Sequence, residues 1–111
     1  MNTIFIVGSS SGIGKATARL FAEKGWTVIA TMRTPGKETE LTIYPNVHLF
    51  PLDVTKPEQI ETTVSAVLKE HDVDVLFNNA GYGMKTRFED IYSIFQIKEK
   101  RNDFDNHFPC R

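Results

Sequence analysis

Four short apolar runs, separated by amphipathic stretches, constrain the fold of this chain more than any other feature. They are Thr3 to Val7 (TIFIV), Thr27 to Met32 (TVIATM), Val47 to Leu52 (VHLFPL) and Val73 to Phe77 (VDVLF). Runs of this length, rich in β-branched residues, predict strands. Between the first two, Ile13, Ala16, Thr17, Leu20, Phe21 and Lys24 recur at spacings of three and four. That period predicts a helix with these positions on its apolar side, stopped by Gly25. Arg33 to Asn46 carries Pro35, Gly36 and Pro45 and reads mostly as loop. Pro51 weakens the third strand. Thr55-Lys56-Pro57-Glu58 has the Thr-x-x-Glu form of a capping box, with proline in the first helical turn. The helix it opens carries Ile60, Val64, Val67 and Leu68 on one stripe and runs to about Glu70. Strands alternating with helices imply βαβ units and a parallel sheet, whose strands are apolar throughout when both faces are covered.

Composition narrows the function classes. The 111 residues fit one small domain, which buries roughly 65% of its unfolded surface. With 41% hydrophobic and 24% charged residues, wholesale disorder is excluded. Thirteen Lys and Arg against 14 Asp and Glu give no electrostatic ground for a nucleic-acid or anionic-membrane partner. Cys110 has no second cysteine for an internal disulfide or a cysteine zinc site, which suits a reducing compartment. His48, His71 and His107 show no metal-ligand spacing, so no metal centre is expected. No apolar run spans ~30 Å of hydrocarbon, and the start lacks the pattern of a signal peptide. The expectation is a cytoplasmic protein.

The segment Gly8-Ser9-Ser10-Ser11-Gly12-Ile13-Gly14 lies between a predicted strand and a predicted helix. Glycines there let the backbone turn sharply and approach a ligand, while the N–H groups of the helix start attract an anion. Three serines add hydroxyl donors. The segment is not a P-loop: Gly8 is six residues before Gly14, and Ala16 stands where a Ser or Thr would hold Mg²⁺. On the glycines alone it is either a pyrophosphate cradle or a turn with no ligand.

Three motifs together resemble the short-chain dehydrogenase/reductase family. Val7 to Gly14 is similar to that family's G-x-x-x-G-x-G loop, Leu52-Asp53-Val54 to the Asp-Val after its third strand, and Asn78-Asn79-Ala80-Gly81 to the N-N-A-G after its fourth. The resemblance covers residues 3 to 90. It implies a Rossmann-like, doubly wound parallel sheet in strand order 3-2-1-4, here about four strands long. A dinucleotide would lie over the strand ends between strands 1 and 4. Residues 1–90 would be the dinucleotide-binding half-domain, and 91–111 a divergent segment, helical or partly disordered.

By the same resemblance, Gly8, Ser10, Ser11, Gly12, Ile13 and Gly14 would line the pyrophosphate. Asp53 would accept a hydrogen bond from the adenine amino group, with Val54 against the ring, and Asn79, Ala80 and Gly81 would border the adenosine ribose. A carboxylate after the second strand would select NAD, but no Asp or Glu occurs between Trp26 and Lys37. Arg33 stands there instead, either as a solvated loop residue or as a partner for the 2′-phosphate of NADP. NADP is therefore expected ahead of NAD.

The family's chemistry uses a serine and a Tyr-x-x-x-Lys pair. Four residues after Tyr44, Tyr82 and Tyr92 stand His48, Thr86 and Gln96. No catalytic residue is assigned, and the expectation is a truncated member, inactive alone. The alternative is a non-catalytic protein that pairs with a copy of itself or another chain through the apolar edge of strand 4.

Overall fold

The computed structural model describes residues 2–10 and 12–79. Its elements are β1 (Thr3–Val7), α1 (Gly12–Glu23), β2 (Thr27–Met32), β3 (Val47–Pro51), α2 (Pro57–Glu70) and β4 (Val75–Asn78), with 3-10 turns at Pro35–Lys37 and Leu41–Ile43 in the β2–β3 connector. Among the described residues all strand pairs are parallel and the order is β3-β2-β1-β4, as expected. The chain moves one way along the sheet from β1 to β3, then returns to the other side of β1. Right-handed connections in such a path put the two helices on opposite faces.

Alternation along β1 feeds both layers. Ile4 and Ile6 join Val28, Ala30, Met32 and Leu41 under α1, where Ala18 and Ala22 contact the sheet. Phe5, Val7 and Ile29 pack against Ile60, Val64, Val67 and Leu68 of α2. The α2 stripe is the one its spacing predicts. Phe5 and Ile29 are fully buried, and each such side chain contributes roughly 1.5–3 kcal/mol.

The α1 stripe differs in part from its prediction: Phe21 packs against the core beside Ala18 and Ala22, but the larger residues Ile13 and Leu20 do not. The buried positions are Gly14, Ala18 and Ala22, while Ile13 is 68% and Leu20 is 50% exposed. Small residues let the helix approach the sheet closely, and periodicity of larger apolar residues points to another face. The helix end follows the sequence. Gly25 has φ +87°, its N–H donates to Ala22 O, and Trp26 N donates to Phe21 O. This is a Schellman closure, and its hydrophobic contact is an edge-on Phe21–Trp26 pair with centroids 4.7 Å apart.

The predicted capping box does not form. Lys56 is the N-cap of α2 and makes no side-chain cap hydrogen bond. The Thr55 hydroxyl is drawn instead to Asp53 Oδ1 at 2.6 Å. β4 starts at Val75 rather than Val73, since Asp74 closes the strand's entry: its N–H donates to Thr3 O, and its Oδ2 accepts from Thr3 N. The expectations for Ser11, Ala80, Gly81 and residues 91–111 lie outside the described residues.

Candidate functional site at the β1–β4 switch point

β1 and β4 end side by side, with Val7 in register with Asn78, at the point where strand order reverses. Past Val7 the chain turns on Gly8, whose φ of +85° favours glycine. Ser9 is fully buried. Its N–H and its Oγ both donate to Thr31 O at 3.0 Å, and Thr31 Oγ1 donates to Ile6 O at 2.6 Å. The loop is thus pinned to β2 from behind, which leaves Ser10 exposed in front.

Gly12 opens α1 at φ +62°, with nothing within 4 Å of where a Cβ would stand. Gly14 is glycine for a different reason. A Cβ there would lie 1.8 Å from Gly8 O and 2.7 Å from Asn79 Nδ2. The first turn of α1 therefore rests on the backbone of the glycine turn. Asn79 fastens the same corner from β4, donating from its backbone N to Val7 O (2.9 Å) and from Nδ2 to Gly8 O (3.2 Å). The first N–H groups of α1 have no partner within the helix, and no acidic residue stands in its first turn. The result is a corner fastened from β2 and β4 with a positive helix end, suited to an anion.

Lys15 does not add its charge freely to this corner. Its Nζ lies 2.6 Å from Glu40 Oε1 and 3.3 Å from Glu38 Oε1. The hydrogen bond with Glu40 raises the Lys15 pKa and lowers that of Glu40. Glu38 is buried and also accepts from Leu41 N through Oε2. Asn46 Nδ2 donates to Ala22 O and Trp26 O, and Tyr44 OH donates to Glu23. The β2–β3 connector is thereby tied to α1 along its length, and Arg33, exposed, begins it directly after β2.

Asp53 follows β3 on the same side of the sheet. Its Oδ1 accepts from Thr55 Oγ1 and from Thr55 N at 3.0 Å. These bonds hold its carboxyl below the usual carboxylate range, with smaller help from Lys56 and Arg33. The Asp53 backbone N–H donates to Gln59 Oε1. Val54 is 9% exposed and belongs to the core under α2. The structure thus brings Gly8, Gly12, Gly14 and Asn79 into one corner, with Ser10 and Ile13 exposed beside it and Arg33 and Asp53 on the flanking strand ends. Sequence reasoning missed Ser9 and Thr31, which anchor the loop. A threonine inside the apolar run TVIATM was the available signal for Thr31.

The short chain dehydrogenase family profile matches residues 2–98. This chain belongs to the short chain dehydrogenase family. Dehydrogenase/reductase SDR family member 6 of Rattus norvegicus is 43% identical over 108 residues, covering 97% of this chain and 40% of the relative. NAD-dependent glycerol dehydrogenase of Listeria innocua is 37% identical over 89 residues, 78% of this chain and 35% of the relative. A carbonyl reductase from Pseudomonas aeruginosa PAO1, solved in complex with NADP, superposes with a TM-score of 0.66 at 29% identity, over 74% of this chain and 39% of that one. The short chain dehydrogenase sequence described here spans about two-fifths of the length of these relatives. Among its described residues, no helix is long and apolar enough to cross a membrane.

Proposed function

We propose that these 111 residues form the dinucleotide-holding half of an NADP-dependent oxidoreductase. The observation that carries this reading is the glycine corner. Positive φ at Gly8 and Gly12, and the packing of Gly14 on Gly8 O, aim the start of α1 at open space beside Gly12. A pyrophosphate fits such a place, because backbone N–H donors and the helix dipole act together on it. Ser10, Ser11 and Ile13 complete its lining. Asp53 receives the adenine amino group with Val54 at the ring edge, and Asn79, Ala80 and Gly81 border the ribose. A bound nicotinamide supplies hydride to, or takes it from, the substrate. The chain's own residues bind and orient the nucleotide, and the proton-transferring group comes from outside these 111 residues.

Arg33 carries the choice of NADP. It follows β2, where a carboxylate would suit NAD, and its guanidinium can grip a 2′-phosphate through two parallel hydrogen bonds. The NADP-bound Pseudomonas structure supports this choice, while the Listeria relative is named NAD-dependent. The chain should bind NADPH more tightly than NADH, and Arg33→Ala should remove most of the difference, about 1–3 kcal/mol, when both nucleotides are titrated calorimetrically. Equal affinity for both in the parent chain would overturn the assignment.

A second reading, association through the sheet edge, has one observation in its favour. Among the described residues β4 pairs only with β1, and Val75 is 38% exposed. A stable dimer in sedimentation equilibrium, with no response to either nucleotide, would favour that reading over the first.

A further inference from the structure

Two histidines 23 positions apart in sequence meet on the face of the sheet away from α1. Residues of a strand two apart share a face, so His48 stands on the same side as Phe50, which packs against the α2 cluster. His71 is the C-cap of α2, its backbone N–H donating to Val67 O. The two rings have centroids 5.2 Å apart and are tilted by 46°.

We propose that His48 and His71 together bind a divalent first-row transition-metal ion of the zinc or copper type. Distance is the first argument. Two imidazoles that each place a nitrogen about 2.0–2.1 Å from one ion, at a tetrahedral angle, have centroids roughly 5.3 Å apart. The observed separation already matches, with His48 on β3 and His71 at the C-cap of α2. Availability is the second. Among the described residues, neither imidazole makes a hydrogen bond to a protein group. His48 is exposed and His71 half-buried, which leaves an entry path from solvent. The third argument is electrostatic. The site lies at the negative end of the α2 dipole, and exposed Glu70 and Asp72 flank His71 in sequence. No set of three or more His, Cys, Asp or Glu converges among the described residues, which therefore supply two ligands to the ion. Imidazole nitrogen suits zinc and copper ahead of magnesium or calcium. A bridging ion ties β3, which pairs only with β2 among the described residues, to the end of α2.

Titration of the full chain with Zn²⁺ should show one saturable site that raises the thermal midpoint, because the ion binds only where both rings are brought together. His48→Gln and His71→Gln should each weaken that site about tenfold or more, and the double variant should lose saturable binding there. His107→Gln and Cys110→Ser should leave it unchanged. With Cu²⁺, electron paramagnetic resonance should report two nitrogen ligands in the parent and one in either Gln variant. Absence of saturable Zn²⁺ uptake, or a site that survives either substitution at full affinity, would overturn the proposal.

Discussion

Gly14→Ala should lower the thermal midpoint of this chain by about 10–20 °C, well beyond what other added methyl groups in the same region do. The new Cβ would stand 1.8 Å from Gly8 O, a backbone atom that Ser9 and Asn79 hold in place from both sides. No side-chain rotation relieves that overlap, so α1 or the turn must move. Overpacking of this kind costs about 3 kcal/mol or more, and a domain of this size loses about 4–8 °C per kcal/mol. Gly12→Ala and Gly25→Ala meet nothing within 4 Å and carry only the strain of positive φ, about 1–2 kcal/mol each. Differential scanning calorimetry of the three variants should rank Gly14→Ala far below the other two. Gly12→Ala and Gly25→Ala also form a matched pair. They bear similar strain, but only Gly12 lies at the glycine corner, so only its variant should lose nucleotide affinity. A Gly14→Ala midpoint within a few degrees of the parent would show that the corner is looser than the geometry described.

The 111-residue chain should not turn over carbonyl or alcohol substrates. Hydride transfer needs a group that gives or takes the substrate proton, and no tyrosine here has a lysine four residues on. General acid–base help contributes roughly 10²–10⁴-fold, and the positioning of the substrate adds more. Tight binding of nucleotide cannot replace either, because binding that does not favour the transition state leaves the chemical barrier standing. NADPH oxidation, followed at the nicotinamide absorbance with aldehydes, ketones and quinones, should stay at the background rate. Steady turnover that a Gly12→Asp, Gly14→Asp double variant abolishes would contradict this.

Much of the fold is legible in the sequence, for identifiable reasons. TIFIV and TVIATM are central strands buried on both faces, and such strands announce themselves as unbroken apolar runs. Gly25 is legible as a helix stop because its position demands positive φ. The α1 face was not legible. It is made of Gly14, Ala18 and Ala22, whose value lies in their small size, and a pattern built on larger apolar residues points elsewhere. The capping box failed because Thr55 has a nearer acceptor in Asp53, a competition that spacing alone does not weigh. At the candidate site the glycines were legible, since their conformational freedom is a property of residue type. Ser9 was not distinguishable from Ser10 by sequence, although one is fully buried and the other exposed. The His48–His71 pair was also hidden, because it exists only once β3 and the end of α2 are brought together.

A dinucleotide held at the glycine corner leaves a signature at individual backbone amides. The most direct test is a nitrogen–proton NMR titration of the chain with NADPH, read residue by residue. Saturable shifts are expected at the amides of Gly8, Ser10, Gly12, Ile13, Gly14 and Asn79, with His48, Lys69 and Glu70 at the far end of the sheet unmoved. Shifts absent from the glycine corner at saturating NADPH, or confined to the exposed edge of β4, would contradict it.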